Sequence, residues 1–116
     1  MQPQPFSFDT EVRGSLTVLR LKGELDMGTA PALTDALHRL QHEGAHEIVV
    51  DLRELSFLDS MGLSALLQAH MAGRDGHQKV SFIRGEGSVH KVFAVTEVDK
   101  RVEWVDPSTV ESAEPV

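Results

Sequence analysis

The run Ile48-Val49-Val50-Asp51-Leu52 restricts the fold more than any other stretch of the chain. It is apolar without alternation and rich in β-branched residues, which suits a strand covered on both faces. The segment from Leu55 to Gly62 then reads as a loop, and Leu63, Leu66, Leu67 and Met71 recur beyond it at helical spacing. A doubly covered strand that feeds a helix is half of a β-α-β unit, and the strand after such a helix returns parallel by a right-handed crossover.

The rest of the chain keeps this alternation. Phe6 to Val12 alternates, with Phe6, Phe8, Thr10 and Val12 on one side, and Arg13-Gly14-Ser15 is a turn signal. Leu16 to Lys22 follows as a second strand, so the first pair forms an antiparallel hairpin. Glu24 to Thr29 is a loop, and Leu33, Ala36, Leu37 and Leu40 mark a helix capped near Thr29, with Pro31 in its first turn and Gly44 at its end. Ser60 or Asp59 caps the second helix, which stops near Gly73 to Gly76. Val80 to Ile83 is a strand, Val89, Val92, Phe93 and Thr96 space a third helix, and Lys100 to Val105 is a last strand. The expected fold is α/β: one domain over residues 6–105, a mixed sheet with an antiparallel start, then β-α-β units with helices packed on the sheet. Residues 1–5 read as a flexible lead-in, and residues 106–116 as a tail with at most a brief helix from Pro107.

Composition narrows function by exclusion. A formal charge of −7 disfavours nucleic acid as the main ligand and suits a basic partner. The absence of cysteine removes disulfides and thiolate metal sites and fits a reducing compartment. Met1 to Pro5 lacks the basic and apolar regions of a secretory signal, and no apolar run is long enough to cross a bilayer. A cytoplasmic protein is the reading.

Chemistry concentrates in the loops after the second and third strands, which parallel topology places at one edge of the sheet. Asp26 lies in one, and Asp59 and Ser60 in the other. At a helix start, Ser60 has two roles open to it. It is an ordinary cap, or it accepts a phosphate that the first-turn N–H groups and helix dipole favour and Asp59 opposes. Gly62 leaves the helix start open to close approach, and Met61 is the nearby candidate for apolar contact. A nucleophilic role is disfavoured, because Leu58-Asp59-Ser60-Met61-Gly62 is not a Gly-x-Ser-x-Gly elbow and His70 lies far along the helix. His38 and His42 share a helix face without a completing ligand pair, and Gly85-x-Gly87 lacks the lysine of a phosphate loop. Trp104 reads as core or sheet cover.

Three segments, Gly23-Glu24-Leu25-Asp26, Val49-Val50-Asp51-Leu52 and Phe57-Leu58-Asp59-Ser60-Met61-Gly62-Leu63, resemble the STAS domains of bacterial anti-sigma factor antagonists. Phe93 to Asp99 is a weaker match, and the segments together span nearly the whole chain. The resemblance implies a domain that catalyses nothing and needs no cofactor or metal. Unphosphorylated, it binds an anti-sigma factor with a serine kinase fold and so frees a sigma factor. The kinase phosphorylates the serine of Asp-Ser-x-Gly, here Ser60, and a PP2C-type phosphatase reverses this. Partner contact then falls to Glu24, Asp26, Thr29, Asp59, Ser60, Met61 and Gly62. The alternative is a STAS subunit of a lipid-transport ATPase or another membrane-associated complex. Two positions depart from the family pattern: no proline opens the third helix near Ser88, and Glu97 replaces a usual glycine. The short tail also suggests a less covered sheet, which would suit a homodimer.

Overall fold

Four strands form one sheet in the order β1-β2-β3-β4, with β1 (Ser7–Arg13) antiparallel to β2 (Leu16–Leu25). β3 (Glu47–Leu58) and β4 (Lys79–Ile83) each run parallel to the strand before them. The computed structural model describes residues 5–76 and 78–112, so the expected lead-in lies outside it except for Pro5, as does the end of the tail. The helices are α1 (Ala30–His42), α2 (Ser60–Asp75), α3 (Gly87–Val95) and α4 (Pro107–Glu111), with a 3₁₀ turn at Val98–Lys100.

Strand order advances in one direction from β2 to β4, so right-handed crossovers put α1 and α2 on the same face. Leu33 and Leu37 of α1, Leu63 and Leu66 of α2, and Val89 and Phe93 of α3 share one core with Leu19, Leu21, Ile48, Val50, Leu52 and Phe82 of the sheet. The other face carries a smaller cluster of Leu16, Val18, Val49 and Ile83, closed by Val110 of α4. β3 is thus covered on both sides, as its unalternating sequence predicts.

Several boundaries differ from those the sequence suggests. β3 runs on to Leu58, and the loop expected from Leu55 to Gly62 shrinks to Asp59 alone. Pairing with the end of β2 carries it, for Gly23, Glu24 and Leu25 meet Leu55, Phe57 and Leu58 across register shifts. Gly23 takes φ +86° at this irregularity, and its carbonyl accepts the Ser56 hydroxyl at 3.0 Å. The last strand is reduced to a single bridge between Phe82 and Trp104. The chain turns at Val98–Lys100, the Trp104 indole donates back to the Asp99 carbonyl at 3.0 Å, and Pro107 opens α4 soon after. Trp104 packs edge-on to Phe93 with ring centroids 5.1 Å apart, a cover for the core's edge.

Met71 is exposed, not part of the inward stripe; Gly62, Leu63, Leu66, Ala69 and Gly73 are the buried positions of α2. Phe6, just before β1, and Phe8 on it pack against the core, whereas Thr10 and Val12 are exposed.

The second face also buries an acid. Asp51 is 4% exposed, and its carboxylate accepts Arg53 Nη2 at 2.8 Å and the Arg53 backbone N–H at 3.0 Å. Burial works against its ionisation most, but the Arg53 hydrogen bonds and the charges of Arg53 and Arg20 outweigh it and hold the carboxyl below its usual range.

Candidate functional site

The loops after β2 and β3 meet at one edge of the sheet, because the two strands are parallel and stay paired through their last residues, Leu25 and Leu58. Each loop is held by an aspartate. Asp26 Oδ1 accepts the N–H groups of Gly28 at 3.0 Å and Thr29 at 3.1 Å. The Thr29 hydroxyl accepts the Asp26 N–H at 2.9 Å and lies 3.0 Å from the Glu24 carbonyl, to which it can donate. Thr29 stands at the cap position of α1 without capping it, since its side chain is engaged with the loop that precedes the helix.

Asp59 joins the two loops. Its Oδ1 caps α2 by accepting the Gly62 N–H at 2.9 Å, and its Oδ2 accepts the Met27 N–H at 3.1 Å. Its own N–H donates to the Leu25 carbonyl at 3.2 Å. Asp59, with extended backbone, is therefore the N-cap, and Ser60 is the first helical residue. Of the two roles open to Ser60, the cap is filled by its neighbour. The Ser60 side chain is exposed, and no hydrogen bond among the described residues engages its hydroxyl. Helix geometry also leaves the N–H groups of Ser60 and Met61 without intrahelical acceptors.

Gly62 serves a different end from the one its sequence suggests. It is buried, and a Cβ there would lie 2.7 Å from the Leu25 carbonyl oxygen. Its smallness lets α2 start hard against the ends of β2 and β3 and does not open the helix to a partner. Met61 is 51% exposed. Met27, which the loop pattern gave no reason to select, is 70% exposed and lines an open groove with Met61, Pro31 and Ala65. Phe57, at the end of β3, is also exposed. Two flexible thioethers and an aromatic ring thus lie on the elements that converge at Asp59, chemistry suited to a protein contact. The sequence offered only an apolar residue between Asp26 and Gly28, two positions after Leu25 in the same predicted loop. Glu24 is half-buried at the end of β2, opposite Phe57.

Hydrolytic chemistry finds no support in this geometry. His70 Nδ1 lies 3.0 Å from the Val80 carbonyl, near the other end of α2 from Ser60. Among the described residues, no group of three or more His, Cys, Asp or Glu side chains is placed to hold a metal ion, and no helix is long and apolar enough to cross a membrane.

A family model described as "STAS domain" matches residues 7–113. An anti-sigma-B factor antagonist of Staphylococcus epidermidis is 27% identical over 78 residues, covering 67% of this chain and 72% of that protein. The crystal structure of an anti-sigma factor antagonist from Mycobacterium paratuberculosis is similar with a TM-score of 0.79 at 26% identity, over 91% of this chain and 89% of that one. The Bacillus cell fate determinant SpoIIAA in its phosphorylated form shares the fold with a TM-score of 0.68 at 20% identity, over 93% and 97% of the two chains.

Proposed function

The chain belongs to the STAS domain family, and from that premise we propose that it is an anti-sigma factor antagonist switched by phosphorylation of Ser60. In the unmodified state it binds an anti-sigma factor with a serine kinase fold through the edge formed by Glu24, Asp26, Asp59, Ser60 and Met61, and a sigma factor is released. Met27 and Phe57 extend that surface. Thr29 and Gly62 act beneath it, one fixing the loop and the other the helix start. The kinase transfers phosphate to the Ser60 hydroxyl, and a PP2C-type phosphatase removes it. Catalysis and nucleotide belong to the partners.

The observation that carries this reading is the division of labour between Asp59 and Ser60. Asp59 holds the two loops and the helix start, so the serine beside it is exposed, first in the helix and free of structural duty. The names of the similar proteins, antagonists of anti-sigma factors, support the same reading. A phosphate on Ser60 would bring about 1.5 to 2 negative charges next to Asp59, with the helix N-terminus as partial compensation. The potential of the surface would change sharply while the fold stays intact.

The test is incubation with co-encoded anti-sigma kinases and ATP, followed by phosphosite mapping. Phosphate is expected at Ser60 and absent in Ser60→Ala. Failure of every such kinase to modify the protein would sink the switch. Ser60→Asp is expected to weaken anti-sigma binding at least roughly tenfold through like-charge repulsion at the interface; unchanged affinity in a titration would count against it.

A further inference from the structure

The basic residues of this acidic chain are gathered unevenly. An open groove of about 530 Å³ is lined by His70 and Arg74 of α2, Lys79 at the start of β4, Lys100 at the end of the 3₁₀ turn, and Arg101 and Glu103 beyond it. Four of the eleven Lys and Arg residues line it, against one of the eighteen Asp and Glu. Local acids answer the lysines only: Lys79 Nζ lies 3.7 Å from Glu103 and 3.9 Å from Glu47, and Lys100 Nζ lies 2.9 Å from Glu97. Arg74 and Arg101 are exposed and form no ion pair among the described residues. Like charges lining one groove repel unless an anion relieves them.

The backbone adds a donor. Phe82 turns its N–H and C=O away from β3, toward Glu103 and Val105, whereas the Lys79 N–H points the opposite way, to the His46 carbonyl. With a period of two along a strand, Val80 is the next outward-facing peptide. Its carbonyl can only accept, so His70 Nδ1, 3.0 Å away, carries the proton. The Val80 N–H faces the groove side with no partner among the described residues.

We propose that this groove binds a small ligand bearing two or more phosphate groups. Arg74 and Arg101 supply planar donor forks that match phosphate oxygens, Lys79 and Lys100 supply charge, and the Val80 N–H supplies a fixed donor. The C-terminus of α2 opposes an anion with about half an elementary charge, which the two arginines free of ion pairs among the described residues outweigh. The groove stands at the far end of the sheet from the switch. Lys79 pairs with Glu47 at the start of β3 and Ser60 lies two residues past its end at Leu58, so the strand alone sets them roughly 35 Å apart at ~3.3 Å per residue. The proposal is independent of Ser60 phosphorylation.

Calorimetric titration of the full chain with inorganic pyrophosphate at low ionic strength tests it, with citrate as a polyanion lacking phosphate and cardiolipin-containing phosphatidylcholine vesicles as a headgroup source. Pyrophosphate is expected to bind more tightly than citrate, and R74A/R101A to weaken it at least tenfold. Arg84→Ala, at the other end of β4, should leave it unchanged. Co-sedimentation with the vesicles that R74A/R101A abolishes, without pyrophosphate binding, would support the site and assign a lipid headgroup as its source. R74K/R101K keeps the charge and loses the forks, and is expected to fall between wild type and the alanine pair. Absence of both pyrophosphate and vesicle binding would overturn the proposal. So would equal binding of citrate, or equal weakening by Arg84→Ala.

Discussion

A Cβ on Gly62 would lie 2.7 Å from the Leu25 carbonyl oxygen, 2.8 Å from Leu25 Cγ and 2.9 Å from Leu58 Cδ1. Two of those atoms belong to buried leucines and one to the backbone, so none can yield cheaply. Gly62→Ala is therefore expected to lower stability by about 1–3 kcal/mol despite alanine's better helix propensity, as overpacking does. A lowered urea midpoint with an unchanged slope would show it; an unchanged midpoint would refute the packing role. Glu97 presents the opposite case. It takes φ +60°, a left-handed conformation that costs a non-glycine residue on the order of 1 kcal/mol. Its compensation is an exposed ion pair with Lys100 at 2.9 Å, of a kind that contributes little. Glu97→Gly is expected to raise the unfolding midpoint slightly, by about 0.5 kcal/mol after the added entropy of the unfolded chain. A fall in midpoint would mean that the ion pair outweighs the strain. The sequence marked both positions, the first as a glycine at a helix start and the second as a departure from the family's glycine. In neither case did it show what the residue touches.

The two loops at the sheet edge behave as one element because Asp59 ties them, through Met27 N–H on one side and Gly62 N–H on the other. Asp59→Ala removes the cap and the bridge together, and is expected to cost about 1–2 kcal/mol. Faster amide exchange at both Met27 and Gly62 would accompany it. Exchange accelerated at Gly62 alone would show that the loops are independent. The positions of these elements were legible in the sequence to a useful degree. Period-two and period-three-to-four patterns placed the strands and helices, and parallel topology alone predicted that Asp26 and Ser60 would share an edge. Element ends were less legible, for reasons specific to each. β3 runs to Leu58 because the irregular end of β2 pairs with it, and no local propensity reports a partner strand. The last strand dwindles to one bridge because its flanks are drawn into a 3₁₀ turn and α4. Met27 escaped notice because exposure of a loop side chain depends on the neighbouring loop.

At the scale of the molecule, three helices among the described residues cover one face of the sheet and the five-residue α4 covers the other, so the second face depends on a few contacts. Val110 is buried against Leu16, Val18, Val49 and Ile83, and Arg13 Nη1 donates to the Val110 carbonyl at 2.9 Å. Val110→Ala removes two buried methyl groups and is expected to cost about 1.6 kcal/mol at ~0.8 kcal/mol each, read from the unfolding midpoint. A neutral result would show that α4 only rests on the sheet. The polar half of this face sets a pH dependence. Asp51 is held ionised by Arg53 and Arg20, with its carboxyl below the ordinary value of 3.8. In the unfolded chain that carboxyl takes up a proton near its ordinary value, while the folded protein resists until lower pH. The stabilisation is therefore complete above about pH 3.8 and is lost as pH falls through the depressed folded value. Glu11 is lowered as well, by hydrogen bonds to Arg13 and Arg20, and contributes in the same direction from an exposed position. Asp51→Asn keeps the shape and loses the charge. It should be less stable than wild type at neutral pH, and the gap in urea midpoint should close as pH is taken below 3.8. A gap that stays constant down to acid pH would mean that hydrogen-bond geometry, and not the charge on Asp51, holds the arginines beneath α4.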